Sequence, residues 1–172
     1  MAVGLLRHHL ERAGSVADVE SAGLLPGGQS ATDHAVAVLA GRGLDMASHV
    51  SRQLAEADPG GFDLVIGMER RHVQEALIVA PEAQSRAFTL IDLVHRSEAE
   101  PPRRPEETIR EWAGRLAAGR THAELIGKGD DGVADPVGGS RDQYEGTADL
   151  LDDLLGRLVA RAFAADQQEV GT

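Results

Sequence analysis

The residues best suited to chemistry lie in Asp135-Pro136-Val137-Gly138-Gly139-Ser140, followed by Tyr144. Proline fixes its own φ and pushes the residue before it out of the helical region, so Asp135-Pro136 reads as a turn. Gly138 and Gly139 keep the next steps of backbone flexible. Ser140 has the side chain of a helix N-cap, and Asp142 stands near the positive end of the helix that follows. The stretch therefore presents one carboxylate, Asp135, on a rigid loop just ahead of a helix. Such a group can give or take a proton. Taken alone, the plainer reading of the hexapeptide is a turn and a cap.

Other candidates are weaker. His8 and His9 are adjacent, so on a helix they point about 100° apart and make a poor metal pair. The Gly/Pro loop Leu24–Gly28 precedes a helix, where an anion can sit, but it lacks nucleotide-binding spacing and has no Lys. The 172 residues contain no cysteine, which excludes a disulfide, a zinc–thiolate site and a thiol nucleophile among them. A net charge of −11 argues against general nucleic-acid binding. No apolar run approaches the ~20 residues of a membrane span. No signal peptide is visible, and the expected compartment is the cytoplasm.

The elements that must position Asp135 follow from periodicity. The length, at 42% apolar residues, is enough for one domain with a real core, here 1–172. Residues 1–14 read as a helix with Leu5, Leu6 and Leu10 on one face and Gly14 as its stop. Residues 16–23 read as a short strand. Ser30 reads as the cap of a helix running to about Arg42, with Asp33 three residues on. Residues 62–68 form a continuous apolar run after Asp58-Pro59-Gly60-Gly61, as buried parallel strands do. A helix follows from Glu69 to Ala80, closed by Pro81, and then a third strand over 86–91. The segment 96–134 is irregular and Pro-rich around one amphipathic helix, Glu106–Ala118, which carries Trp112. The Leu/Val spacing predicts a helix from Ser140 to about Ala165, with a frayed tail over 166–172. Strands alternating with helices imply an α/β fold of three layers, a parallel sheet flanked by helices.

Five pieces of the chain together resemble the low-molecular-weight protein-tyrosine phosphatases. In order they are Met1–Arg7, Val19–Gly23, Gly43–Leu54, Phe62–Arg70 and Asp135–Tyr144. In that family a strand leads into a phosphate-binding loop of the form C-x-x-x-x-x-R-[ST], and the first helix follows. Met1-Ala2 is similar to the residues just after that loop. The resemblance thus implies a sheet lacking its first central strand, and a chain without the nucleophilic Cys and the loop Arg. It implies that Asp135, supported by Pro136, is the general acid that protonates the leaving oxygen. It implies that Ser21 and His49 hydrogen-bond to the phosphate loop and position it. The plainer readings are a strand-end hydroxyl for Ser21 and a satisfied, partly buried ring for His49. Eukaryotic members carry aromatics after the Asp-Pro pair, where this chain has Val137 and Gly138.

Two unfilled strand edges would leave buried backbone groups unpaired, at about 1–3 kcal/mol each. The gap is therefore expected to be closed, by sheet rearrangement, by another chain, or by an upstream segment outside these residues; we expect the last. The activity implied is phosphotyrosine phosphatase, through a cysteinyl-phosphate and without cofactor or metal. Its substrate would be a phosphotyrosine protein or a small phosphomonoester. The 172 residues alone are expected to be inactive. The alternative is a catalytically dead binding or regulatory module that takes a partner's strand, including a homodimer through the open sheet. An arsenate reductase relative is weaker still, because that chemistry also needs cysteines. No nucleic-acid or membrane partner is expected.

Overall fold

The computed structural model describes residues 1–121, 124–125 and 131–163. Helix α1 spans Ala2–Arg12, α2 Asp33–Ala40, α3 Arg70–Val79, α4 Leu90–Ala99, α5 Ile109–Leu116 and α6 Arg141–Ala162. The strands are β1, Val65–Gly67, and β2, Ala87–Thr89. They pair in parallel, with Val65 opposite Ala87, Ile66 opposite Phe88 and Gly67 opposite Thr89. The architecture is α/β, a small parallel sheet flanked by helices. No helix of the described residues is long and apolar enough to cross a membrane.

Local chemistry explains most boundaries. α3 begins with a reciprocal box in which Glu69 accepts from the His72 amide and the His72 ring accepts from the Glu69 amide. Pro81 closes it, as anticipated. Gly67 turns from β1 into α3 where a β-carbon would stand 2.9 Å from Val73 and 3.0 Å from the Glu69 carbonyl. Only glycine fits that approach. α5 starts at Thr108, boxed with Glu111. α6 starts at Ser140, boxed with Gln143.

The core lies where α1, α4 and α6 meet the sheet. Leu5, Leu39, Phe88, Leu90, Leu93, Trp112, Leu155 and Leu158 are almost fully buried in one cluster. Each such side chain contributes roughly 1.5–3 kcal/mol of transfer free energy. Leu150, which fits the helical spacing, lies on the outer side of α6 at 42% exposure.

Three expectations change. Residues 16–23 form no strand: Val16 is fully exposed, and the only pairing is an isolated bridge from Gly23 to Gln53. Alternation prepares a strand, but a ladder needs a neighbour, and among the described residues the segment has only that bridge. The last strand stops at Thr89 because Thr89 caps α4, its hydroxyl accepting from the Asp92 amide at 3.2 Å. The cap of α2 is Thr32, which accepts from the Ala35 amide; Ser30 instead bridges to Val50. The expected loop over 127–130 and the tail over 166–172 lie outside the described residues.

Candidate functional site

The loop that carries Asp135 is tied down at both ends. At its start, Asp131 accepts from the Thr89 hydroxyl at 2.7 Å and from Arg70 Nε at 2.8 Å. Burial works to raise the Asp131 carboxyl. The bonds from Thr89 and Arg70, with the Arg70 charge, outweigh it and hold that carboxyl below its ordinary value. Two residues on, the Val133 amide donates to the Met68 carbonyl at 2.7 Å, and the Val133 side chain is buried. At its far end, Ser140 accepts from the Gln143 amide, while the Gln143 side chain accepts from the Ser140 amide at 2.7 Å. Tyr144 follows, buried, its hydroxyl accepting from Thr32 at 3.0 Å beside the His34 ring.

Between these anchors the chain turns. The Asp135 carboxylate accepts from the Val137 amide at 3.0 Å, and the Gly139 amide donates to the Pro136 carbonyl at 2.8 Å. Gly138 has φ +82°, a conformation glycine adopts at little cost. Asp135 is exposed and Pro136 half-buried. The predicted turn and cap are therefore both present, and they present an accessible carboxylate.

His72 belongs to the same neighbourhood and was not singled out from the sequence. Burial lowers its pKa, the nearby Glu69 charge raises it, Arg71 lowers it and Asp135 raises it, for a net fall. Its Nδ1 accepts from the Glu69 amide at 3.1 Å, so the neutral ring carries its proton on Nε2. The only sequence signal was its place three residues after Glu69, the spacing of a capping box. Arg70, Thr89 and Asp131 were also missed. They come from three separate segments, and no local pattern connects them.

The other two predicted site residues lie elsewhere. Ser21 is exposed, and its hydroxyl has no hydrogen-bond partner among the described residues. His49 is half-buried. Burial lowers its pKa first, and then the positive charges of the Met1 ammonium and Arg7. The Met1 ammonium is itself lowered by burial. No side chain caps α1 and no acidic residue stands in its first turn, so the surroundings of His49 are electropositive. Arg7 is spent on the Val19 carbonyl and Arg52 on Glu20. Among the described residues no hydrogen bond or ion pair joins Asp135 to Ser21 or His49. No group of three or more acidic, His or Cys side chains among them could hold a metal ion.

Comparison with known proteins follows this geometry. The family model described as "Low molecular weight phosphotyrosine protein phosphatase" matches residues 1–106. The chain is 30% identical over 170 residues to a protein-arginine-phosphatase of Bacillus subtilis, covering 98% of this chain and 90% of that one. Among solved structures, the YwlE arginine phosphatase from Geobacillus stearothermophilus superposes with a TM-score of 0.64 at 26% identity. The match covers 98% of this chain and 83% of the other. The low molecular weight protein tyrosine phosphatase from T. tengcongensis reaches 0.67 at 25% identity, over 92% and 86% of the two chains.

Proposed function

Because the chain belongs to the low molecular weight phosphotyrosine protein phosphatase family, we propose that it carries the proton-transfer half of a phosphoprotein phosphatase site, with Asp135 as the donor. The observation that carries this reading is the loop itself: an exposed carboxylate held by the Val137 amide, on a turn anchored at both ends. In the family's chemistry a thiolate attacks phosphorus and the bond to the leaving atom breaks. Asp135 would give its proton to that atom. Water would then attack the phosphocysteine, and the Asp135 carboxylate would take the proton as the sulfur–phosphorus bond breaks. His49 and Ser21 are read as supports of the phosphate loop.

The 172 residues contain no cysteine, so we expect them alone to turn over nothing. The test has two arms. The chain as it stands should release no p-nitrophenolate from p-nitrophenyl phosphate; turnover abolished by Asp135→Ala would overturn that expectation. Joined behind a strand and a loop of the form C-x-x-x-x-x-R-[ST], it should turn over, and Asp135→Asn should then lower kcat by about 10²–10⁴-fold. Equal turnover in that variant would remove Asp135 from the role of proton donor.

Val137, 67% exposed, and Gly138 favour a particular substrate within this reading. No aromatic ring follows Asp135-Pro136 to stack on a phenyl group. That agrees better with phosphoarginine, the substrate class of the Bacillus subtilis relative, than with phosphotyrosine. A higher kcat/KM on phosphoarginine peptides than on phosphotyrosine peptides supports it, and the reverse order refutes it. A strand-accepting regulatory module is the second reading, favoured by a β1 that pairs only with β2 among the described residues. A concentration-dependent dimer would support it, and a monomer at every concentration would count against it.

A further inference from the structure

Asp131, Thr89 and Arg70 come from three segments and meet at the ends of the two strands. Thr89 is the last residue of β2 and the cap of α4. Arg70 opens α3, three residues after β1 ends at Gly67. Asp131 lies four residues ahead of Asp135. One carboxylate therefore ties both strand ends, through one oxygen each, to the base of the acid loop. The Val133 amide adds a bond to Met68, next in the chain after β1.

The charges of the cluster are taken up within it, which favours a structural role over ligand binding. Arg120, nearly buried, lies over the Phe88 ring at 4.3 Å and donates to the Ala87 carbonyl at 2.7 Å. Arg96 bonds Asp92 at 2.9 Å. Arg70, Thr89, Asp92, Arg120 and Asp131 line a shallow, half-open depression whose polar side chains are paired with one another. Each carboxylate in it faces an arginine, and an ion pair held on both sides by hydrogen bonds serves geometry more than binding.

We propose that Asp131, held by Thr89 and Arg70, is the positioning residue of the acid loop: it fixes where the chain leaves the sheet and so where Asp135 is presented. The inference rests on the reading of Asp135 as proton donor, but the anchor can be tested without any turnover. The measurement is amide hydrogen exchange, together with the ¹³C shift of the Asp135 carboxyl, on the 172-residue chain. Asp131→Asn keeps the shape and weakens both bonds. Thr89→Val removes the bond to Asp131 from the other side, and with it the cap of α4, and is the second variant should the first fail to fold. Each should speed exchange at Val133 and Gly139 by about 10-fold while the Leu154 and Leu158 amides of α6 keep their rates. Each should also move the Asp135 carboxyl signal toward that of an unstructured peptide. Thr89→Ser should restore both readouts.

Unchanged exchange at Val133 in both variants would overturn the proposal. So would a uniform rise that includes α6, which marks general destabilisation. Faster exchange at Val133 with an unmoved Asp135 signal would also overturn it, since the cluster would then be a structural tie only. Failure of the proton-donor reading shows up separately, as full turnover of Asp135→Asn in the loop-bearing chain.

Discussion

The acid loop over 131–144 and the segment over 15–32 differ in how they are held, although both carry residues assigned to one site. The loop is fixed by side chains from β2, α3 and α6 and by a reciprocal cap. The other segment is held by hydrogen bonds of Gly23, Gly28 and Gln29 to residues 51–54, by the Glu20–Arg52 ion pair and by Thr32, which donates to Tyr144. Its Val16 and Leu25 are 101% and 79% exposed. A turn can be ordered by its own hydrogen bonds and by the sheet ends beneath it. A would-be strand cannot, because its ladder must come from a neighbour. The two regions meet at the Thr32–Tyr144 hydrogen bond, while none among the described residues joins Asp135 to Ser21 or His49.

Substitutions in the two regions should differ accordingly. The largest effect is expected for Tyr144→Ala, which empties a buried site between α2 and α6; it should cost about 3 kcal/mol in denaturant unfolding. A cost under about 1 kcal/mol would mean that this end of the loop is held less firmly than its burial indicates. Next is Ser140→Ala, which removes the cap of α6 and should cost about 1 kcal/mol by the same measurement.

A third comparison concerns the two histidines, each with a pKa lowered from 6.5. Asp135 raises the pKa of His72 and has no part in that of His49. Asp135→Asn should therefore lower the His72 titration midpoint further and leave His49 unmoved, as read by imidazole proton NMR. An equal movement of both would erase the separation between the regions. The linked stability follows in sign. Above pH 6.5 both rings are neutral folded and unfolded, and their contribution is full. As pH falls below 6.5 the unfolded chain binds protons first, so stability declines until the lowered folded values are passed. The smallest effect is expected for Val16→Ser, within about 0.5 kcal/mol, because the side chain is wholly in water. A larger loss would show that the segment packs in solution.

Much of this was legible in the residues themselves. Asp135-Pro136, the two glycines and Ser140 specify a turn and a cap by φ restriction and side-chain reach, and both are present. The 3.6 period placed α1, α3, α5 and α6, since a helix satisfies its own backbone and needs a neighbour only for its apolar face. The alternation over 16–23 misled, because pairing is not a local property. The same holds for the cap of α2, where Thr32 serves and Ser30 bridges to Val50.

By itself the sequence determined α1, α3, α5 and α6, the turn that exposes Asp135, the family resemblance and the absence of cysteine among the 172 residues. Each is a matter of local sterics, periodicity or composition. α4 falls where the sequence reads as a strand and an irregular segment. Only the tertiary structure decided which strands exist, that Asp131, Thr89 and Arg70 converge beneath the acid loop, and that His72 rather than His49 feels the charge of Asp135. Those depend on residues about 20 to 60 positions apart meeting in space, and the Coulomb and hydrogen-bond energies that result fall off within a few ångströms.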